Sequence, residues 1–390
     1  MSLNFDSARL PNPQLTPEHE EWRVHLRRFI DVEIMPFAED WDEAGHIPIE
    51  LWPKAAAVGL LGMGYPEEFG GTREGIDCWH SWIANEELAR IGVGGVAASL
   101  MVHGIGLPPV LNWGSQALKE MVAPAVLAGQ RHIALGITEP GGGSDVAQLS
   151  TTAVRDGDYY IVNGSKTYIT GGMRANWVST AVRTGDQGAG GVSMLLIPAD
   201  AEGFSRTALD RKQGWWASDT ATLYFDDVKV PVSNLIGEEN QGFRVIMTNF
   251  NGERMAMAAS MEAAGRVCLE EAVLWAKERK TFGKRLADHQ VIRHKISQMK
   301  QRLNATQAYI RVCYEAIESG HANPGDIAML KVQASETMEF CAREAMQILG
   351  GSGYMRGNRV ERIYREVRVN AIGGGSEEIM RDLAARQYGL

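Results

Sequence analysis

The sequence predicts an α+β protein in which helices occupy the first and last thirds of the chain and strands the middle. Three observations predict it. Apolar residues recur at helical spacing up to about residue 133; short β-branched or aromatic segments, broken by glycine and acidic turns, fill the stretch from about 134 to 238; and the 3.6-residue period returns after Pro231. With 390 residues the chain exceeds what one hydrophobic core usually serves, so three domains are expected, at 1–133, 134–238 and 239–390.

Thr16 and Pro17 pair a cap residue with a first-turn proline, and Trp22, Leu26, Phe29 and Ile30 then line one helical face before Pro36 ends the run. Helical spacing continues through Glu50 to Gly59, Trp79 to Ile91 and Ser115 to Ala128, while Gly92 to Gly106 is rich in small residues. Strands are expected at Ser150–Arg155, Asp158–Asn163, Val178–Val182, Ser193–Pro198 and Thr220–Val230. In the last of these Ala221, Leu223 and Phe225 alternate with Thr222, Tyr224 and Asp226, the pattern of a half-buried strand. Gly185 to Gly191 reads as a hairpin tip. Ile292, Ile296, Met299 and Leu303 mark a later helix, and no strand-like run is expected after Pro231.

Composition narrows the function classes. With 45% hydrophobic and 22% charged residues the chain is ordinary for a folded protein, and a formal charge of −9 argues against a sequence-independent nucleic-acid binder, which needs a positive field. Cys78, Cys268, Cys313 and Cys341 lie far apart without metal-ligand or disulfide-framework spacing, so reduced thiols are expected. His80, His103 and His294 lack companions at metal-ligand spacing, and no metal site is expected. No apolar run is read as approaching the roughly 20 residues of a membrane span, and the opening MSLNFDSARLPNP has no signal-peptide or transit-peptide pattern, so a cytoplasmic location is expected. The tryptophans, Trp215 and Trp216 among them, read as core and domain-contact residues.

Five segments carry chemistry. TEPGGGSD, Thr138 to Asp145, is a loop whose glycines let backbone N–H groups approach an anion or a planar ring; taken alone it is equally a plain glycine turn. NGSKTYITGG, Asn163 to Gly172, follows it. NFNGERMA, Asn249 to Ala256, holds the pair Glu253-Arg254, and ERKTFGKRL, Glu278 to Leu286, taken alone is a solvated basic turn. QILGGSGY, Gln347 to Tyr354, lies near the C-terminus.

Together these segments resemble the acyl-CoA dehydrogenase family, over essentially the whole chain. The resemblance implies a barrel-like middle domain, a C-terminal four-helix bundle and FAD as cofactor. It implies that Leu135, Ile137, Thr138, Tyr168 and Thr170 contact the flavin ring, with Ser144 near the flavin and the acyl-CoA thioester. It also implies that Arg279, Phe282 and Gln290 reach the FAD of a partner subunit, and that Gln347, Gly351, Ser376 and Glu378 meet its adenylate side. Each cofactor site then needs two chains, so a homodimer is the least assembly and a homotetramer the usual one.

The base departs from the commonest family pattern, because Gly374, in Ile372-Gly373-Gly374-Gly375-Ser376, stands where many members carry glutamate. Isovaleryl-CoA and long-chain acyl-CoA dehydrogenases place theirs in a Glu-Arg pair on another helix, which matches Glu253-Arg254. An exposed helix glutamate paired with a cation is the bland alternative for Glu253, and Glu377 and Glu378 are fallbacks. Asn251, Arg254, Gly374 and Arg386 are the implied acyl-CoA contacts. The implied reaction removes the α-proton to Glu253 and the β-hydrogen as hydride to flavin N5, giving a trans-2-enoyl-CoA, with electron-transfer flavoprotein as acceptor. Base placement favours isovaleryl-like or long-chain-like members. Gly94, Gly95, Ala97, Ala98 and Ser99 leave depth for a medium, long or branched chain, citronellyl-CoA included, and Met255, Met257 and Met261 line an acyl pocket or fill core. The alternatives are a flavin-dependent acyl-CoA oxidase, or a flavin-bearing stress or DNA-binding protein of this fold.

Overall fold

The computed structural model describes residues 3–390. Among these, the chain begins with seven helices: α1 Pro17–Glu33, α2 Ala38–Ala44, α3 Leu51–Ala57, α4 Cys78–Arg90, α5 Gly94–Leu100, α6 His103–Trp113 and α7 Gln116–Leu127. Strands follow: β1 Ile133–Gly136, β2 Thr152–Asp156, β3 Tyr159–Thr170, β4 Trp177–Arg183, β5 Val192–Pro198, β6 Phe204–Ala208, β7 Thr220–Pro231 and β8 Leu235–Ile236. Helix α8, Gly242–Glu278, leads to the short strands β9 Lys280–Thr281 and β10 Lys284–Arg285. Helices α9 Gln290–Glu318, α10 Pro324–Leu349, α11 Gly351–Tyr354, α12 Arg359–Ile372 and α13 Glu377–Gln387 complete the chain. It packs as two compact units, one comprising the chain up to Glu39, Asp77–Gly94 and Asn251–Leu390, the other Asp40–Ile76 and Gly95–Phe250.

In the first unit α1 begins where its cap residues predict. Thr16 caps it, Pro17 opens it, and Leu26, Phe29 and Ile30 are buried. It ends at Glu33, one turn short of Pro36, in keeping with the bias of residues before proline against helical backbone. Asp77 caps α4, and the two caps are joined: His19 Nδ1 accepts from the Thr16 N–H at 3.0 Å, which leaves its Nε2–H to donate to Asp77 at 3.0 Å. His80 Nδ1 meets the same carboxylate at 2.9 Å, so His80 does have companions, contrary to its sequence spacing: ligand atoms of His19, Asp77 and His80 lie within 4.8 Å of one another. Their hydrogen bonds account for all three as helix caps. Buried charges tie α1 and α4 to each other, Arg23 to Glu86 at 2.6 Å and Arg27 to Glu87 at 2.6 Å. α10 packs against α9, α12 and α13.

In the second unit the strands order as β6-β7-β3-β2-β4-β5-β8, with β1 paired in parallel to β4. Ala221, Leu223 and Phe225 are buried as their alternation predicts; Thr222, expected on the opposite face, is buried too because its hydroxyl meets that of Thr167 at 3.0 Å. Residues 185–191 do form the β4–β5 connection.

Several expectations need correction. Strands β1, β6, β8, β9 and β10 are additional to those read from sequence, and three of them follow Pro231. Four of the five, β1, β8, β9 and β10, are four residues or shorter and carry no full period of alternation, or are buried too evenly to show one. Gly92–Gly106 is largely helical, as α5 and the start of α6. The 20-residue stretch Gly94–Trp113 is moreover long and apolar enough by composition to cross a membrane, with mean hydropathy 1.4 over an 18-residue window, contrary to the sequence reading. Here it is interrupted after Leu100, 56% of it is buried, and α6 packs on β1 with Gly106 so close that a Cβ would lie 3.0 Å from the Ala134 backbone. Trp215 and Trp216, expected as core or domain-contact residues, are half-buried. Cys268, Cys313 and Cys341 are buried free thiols, and Cys78 is partly exposed.

Candidate active site

Two sets of predicted residues gather, one in each unit. In the second unit TEPGGGSD connects β1 to β2, so it follows a strand rather than preceding the first. Glu139 and Gly142 exchange backbone hydrogen bonds at 3.1 Å, closing a tight turn. The Glu139 carboxylate then anchors the loop, accepting from the Ser150 N–H and hydroxyl at 2.6 Å, the Thr151 N–H at 2.9 Å and the Lys166 ammonium at 2.7 Å. Lys166 is fully buried and also donates to the Ile137 carbonyl at 3.1 Å, so Thr138 is pinned on both sides. Burial works to raise the Glu139 pKa, yet Lys166 and the other donors outweigh it and hold the carboxyl at about 2; burial also brings Lys166 down to about 8.

β3 reaches this loop through the Thr167 N–H, which donates to the Thr138 carbonyl at 2.8 Å. The register of β3 on β7 slips between Lys166 and Ile169. That bulge turns Lys166, Thr167 and Ile169 inward and leaves Tyr168 outside, 71% exposed and at φ +59°, a conformation an aromatic residue adopts only under constraint. Thr170 follows, half-buried.

These residues fit a flat, polar-edged group such as a flavin. Gly141, Gly142 and Gly143 do not have the positive φ that would demand glycine, and a Cβ at Gly141 or Gly142 would meet nothing within 4 Å. The loop is bare where side chains would fit, the shape of a cradle. Tyr168 offers an exposed ring beside it, and Thr138 and Thr170 offer hydroxyls. Leu135 and Ile137 lie at the loop's start, and Ser144 is exposed.

In the first unit the basic turn is a β-hairpin. Phe282 and Gly283, at φ +50° and +78°, form a two-residue loop between β9 and β10, and Phe282 is 95% exposed. A benzyl side chain at such a position is strained and unburied at once. Arg279 precedes the hairpin and Gln290 opens α9, both exposed, as are Gln347 and Gly351 at the α10–α11 junction.

Glu253, half-buried on α8, has its carboxyl pushed up to about 8 by desolvation, against the opposing pull of Arg254. Arg254 is buried; it donates from Nη1 to Asn251 at 3.2 Å and from Nε to the Gly374 carbonyl at 3.2 Å. Gly374, at φ +67°, stands over Met257, and a Cβ there would lie 2.8 Å from the Met257 sulfur. Met257 is one turn beyond Glu253 on α8, so carboxylates at 253 and 374 would approach the same patch from two elements. Of the Met residues near it, Met255 and Met261 fill core. The fallback carboxylates are engaged: Glu377 accepts from the Ser335 hydroxyl at 2.7 Å, and exposed Glu378 is held low by backbone and Ser376 donors. Ser376 caps α13, and Arg386, exposed on its last turn, pairs with Asp382 at 2.8 Å.

The family's three domain models, acyl-CoA dehydrogenase N-terminal, middle and C-terminal, match residues 16–130, 134–228 and 240–389. The chain belongs to the acyl-CoA dehydrogenase family. Among relatives, it is 35% identical to the long-chain specific acyl-CoA dehydrogenase of Rattus norvegicus, covering 95% of this chain and 86% of that protein. Among solved structures, it superposes on a probable acyl-CoA dehydrogenase from Mycobacterium abscessus with TM-score 0.93 at 44% identity, covering 96% and 99% of the two chains. A glutaryl-CoA dehydrogenase from Mycobacterium smegmatis in complex with FADH2 aligns with TM-score 0.90 at 26% identity over 96% and 95%. This acyl-CoA dehydrogenase is thus an FAD-dependent oxidoreductase of acyl-CoA thioesters. Sequence reading did not find the Glu139–Lys166 pair that holds its glycine loop; the two residues are 27 positions apart and nothing local in either signals the other.

Proposed function

We propose that this chain oxidises an acyl-CoA to its trans-2-enoyl-CoA, with Glu253 as the base that removes the α-proton. The observation that carries the reading is Glu253 itself: a carboxyl raised by desolvation to about 8, beside a glycine turn that lacks the family's commoner glutamate. Such a group holds a proton firmly enough to take one from a weak carbon acid and still ionises near neutral pH. FAD, when bound, supplies the acceptor for the β-hydrogen as hydride.

The chain's own residues do the rest. Thr138, Ser144, Tyr168 and Thr170, with Leu135 and Ile137, hold the flavin end of the cofactor; Gln347, Gly351, Ser376 and Glu378 receive its adenylate end. Arg279, Phe282 and Gln290 reach the cofactor of a second subunit, so the working assembly is at least a dimer and, as in the family, a tetramer. Among the described residues the Gly374 N–H donates to no acceptor, and it is the donor for the thioester carbonyl, acidifying the α-C–H. Asn251, Arg254 and Arg386 meet the CoA portion. Electron-transfer flavoprotein is the acceptor, and the acidic chain works in the cytoplasm.

The test is product analysis: purified enzyme, a panel of straight and branched acyl-CoAs and an artificial electron acceptor, read by mass spectrometry. A product two hydrogens lighter, with a trans-2 double bond, is expected from at least one thioester. Turnover of none would refute the reading, and hydrogen peroxide formed in place of acceptor reduction would make it an oxidase.

A further inference from the structure

The glycine turn at 373–375 is held by a buried ammonium that the mechanism above does not use. Lys331, on α10, is 0% exposed, and its Nζ donates to the Gly375 carbonyl at 2.7 Å and to the Ala371 carbonyl at 3.3 Å. Arg254 takes the carbonyl between them, that of Gly374. Two cations thus hold three carbonyls of one five-residue stretch. The Gly373 N–H donates back to Val369 at 2.7 Å, so the peptide plane carrying the Gly374 N–H is bracketed on both sides while that N–H itself stays unused by the described residues.

Two physical points make this more than packing. Three consecutive glycines have little stiffness of their own, so a turn built from them keeps one shape only if something outside it imposes that shape. A buried ammonium is also an expensive way to fill space: no carboxylate lies within ion-pair distance of Lys331 among the described residues, and Glu377 acts on it only through space. A methionine of similar volume would fill the site without the desolvation penalty.

We propose that Lys331 is a positioning residue for catalysis: by bonding the carbonyls of Ala371 and Gly375 it fixes the glycine turn so that the Gly374 N–H meets the thioester carbonyl. This rests on the acyl-CoA reading above. Lys331 touches neither substrate nor flavin in this role; it acts through the turn.

The test uses the holoenzyme and two variants, Lys331→Met and Lys331→Arg. The probes are the acyl-CoA that reduces the parent flavin fastest and the corresponding S-alkyl-CoA thioether, which lacks the carbonyl. K331M is expected to keep its FAD, to lose about 100-fold in the limiting rate of flavin reduction, the scale for a misplaced oxyanion donor, and to bind thioester about tenfold more weakly. Its affinity for the thioether is expected to stay at the parent value, and K331R, which can still donate to two carbonyls, to recover part of the rate. With a 13C-labelled thioester carbonyl, the infrared shift induced by binding is expected to shrink in K331M. Reduction within about twofold of the parent, or equal weakening of thioester and thioether, would show a merely structural lysine. Should K331M not fold, K331Q, which keeps one donor, is read by the same comparison. A parent that no acyl-CoA reduces sinks the acyl-CoA reading itself, an outcome distinct from a parent that works and a K331M that works equally well.

Discussion

Replacing Glu253 by glutamine separates the catalytic from the structural consequences of its environment. Desolvation moves the carboxyl from an ordinary 4.5 to about 8. The folded chain therefore holds this proton more tightly than the unfolded chain, and folding is opposed wherever the group must ionise. Below pH 4.5 both states are protonated and nothing is lost. Stability then falls as pH rises, by about 3 kcal/mol at pH 7 and about 5 kcal/mol above pH 9, upper limits because the half-buried carboxylate keeps some water. Glutamine cannot ionise, so E253Q should match the parent's stability near pH 4 and exceed it increasingly toward pH 9. Urea unfolding at several pH values, with FAD in fixed excess, measures this. The same substitution should lower the rate of flavin reduction by about a thousandfold, the scale of a lost general base. In the parent, the reduction rate at low acyl-CoA should climb with pH and level off above about 8. A stability difference that does not grow with pH would refute the desolvation argument, and undiminished reduction would refute the base.

Other substitutions test the supports. E139Q strips Lys166 of its carboxylate and should destabilise the β unit by about 3 kcal/mol while loosening FAD, read by thermal unfolding and flavin content; an unchanged melting temperature would show the pair to be idle. G374A puts a Cβ at φ +67° and 2.8 Å from the Met257 sulfur, so it should cost about 1–2 kcal/mol and slow flavin reduction, and parent-like kinetics would mean the turn is not at the thioester. R279A should shed FAD on gel filtration without changing the monomer's fold by circular dichroism; full flavin retention would contradict the cross-subunit contact.

What was legible follows from how locally each feature is written. The start of α1 is legible because Thr16 and Pro17 are adjacent and their roles are specific, and β7 because its alternation runs six residues. β1 is not, since four evenly buried residues carry no period, and α5 and α6 are not, since a helix of glycine, alanine and proline looks like a break. Phe282-Gly283 hides its hairpin, because phenylalanine is a poor signal for a left-handed turn position. At the candidate site, the glycine loop stands out by composition, and the carboxylate at 253 through the family resemblance, by the acid missing at 374. Their supports do not: nothing local in the sequence marks Lys166 or Lys331, and only the fold reveals that both are buried and that each bonds backbone carbonyls.

The most direct test of the central claim is an anaerobic stopped-flow titration of parent and E253Q holoenzymes with straight and branched acyl-CoAs, following loss of the oxidised flavin band. The account predicts rapid bleaching of the parent by one class of thioester and a yellow E253Q that binds the same thioester without bleaching. Bleaching of both at similar rates, or of neither by any thioester, would contradict it.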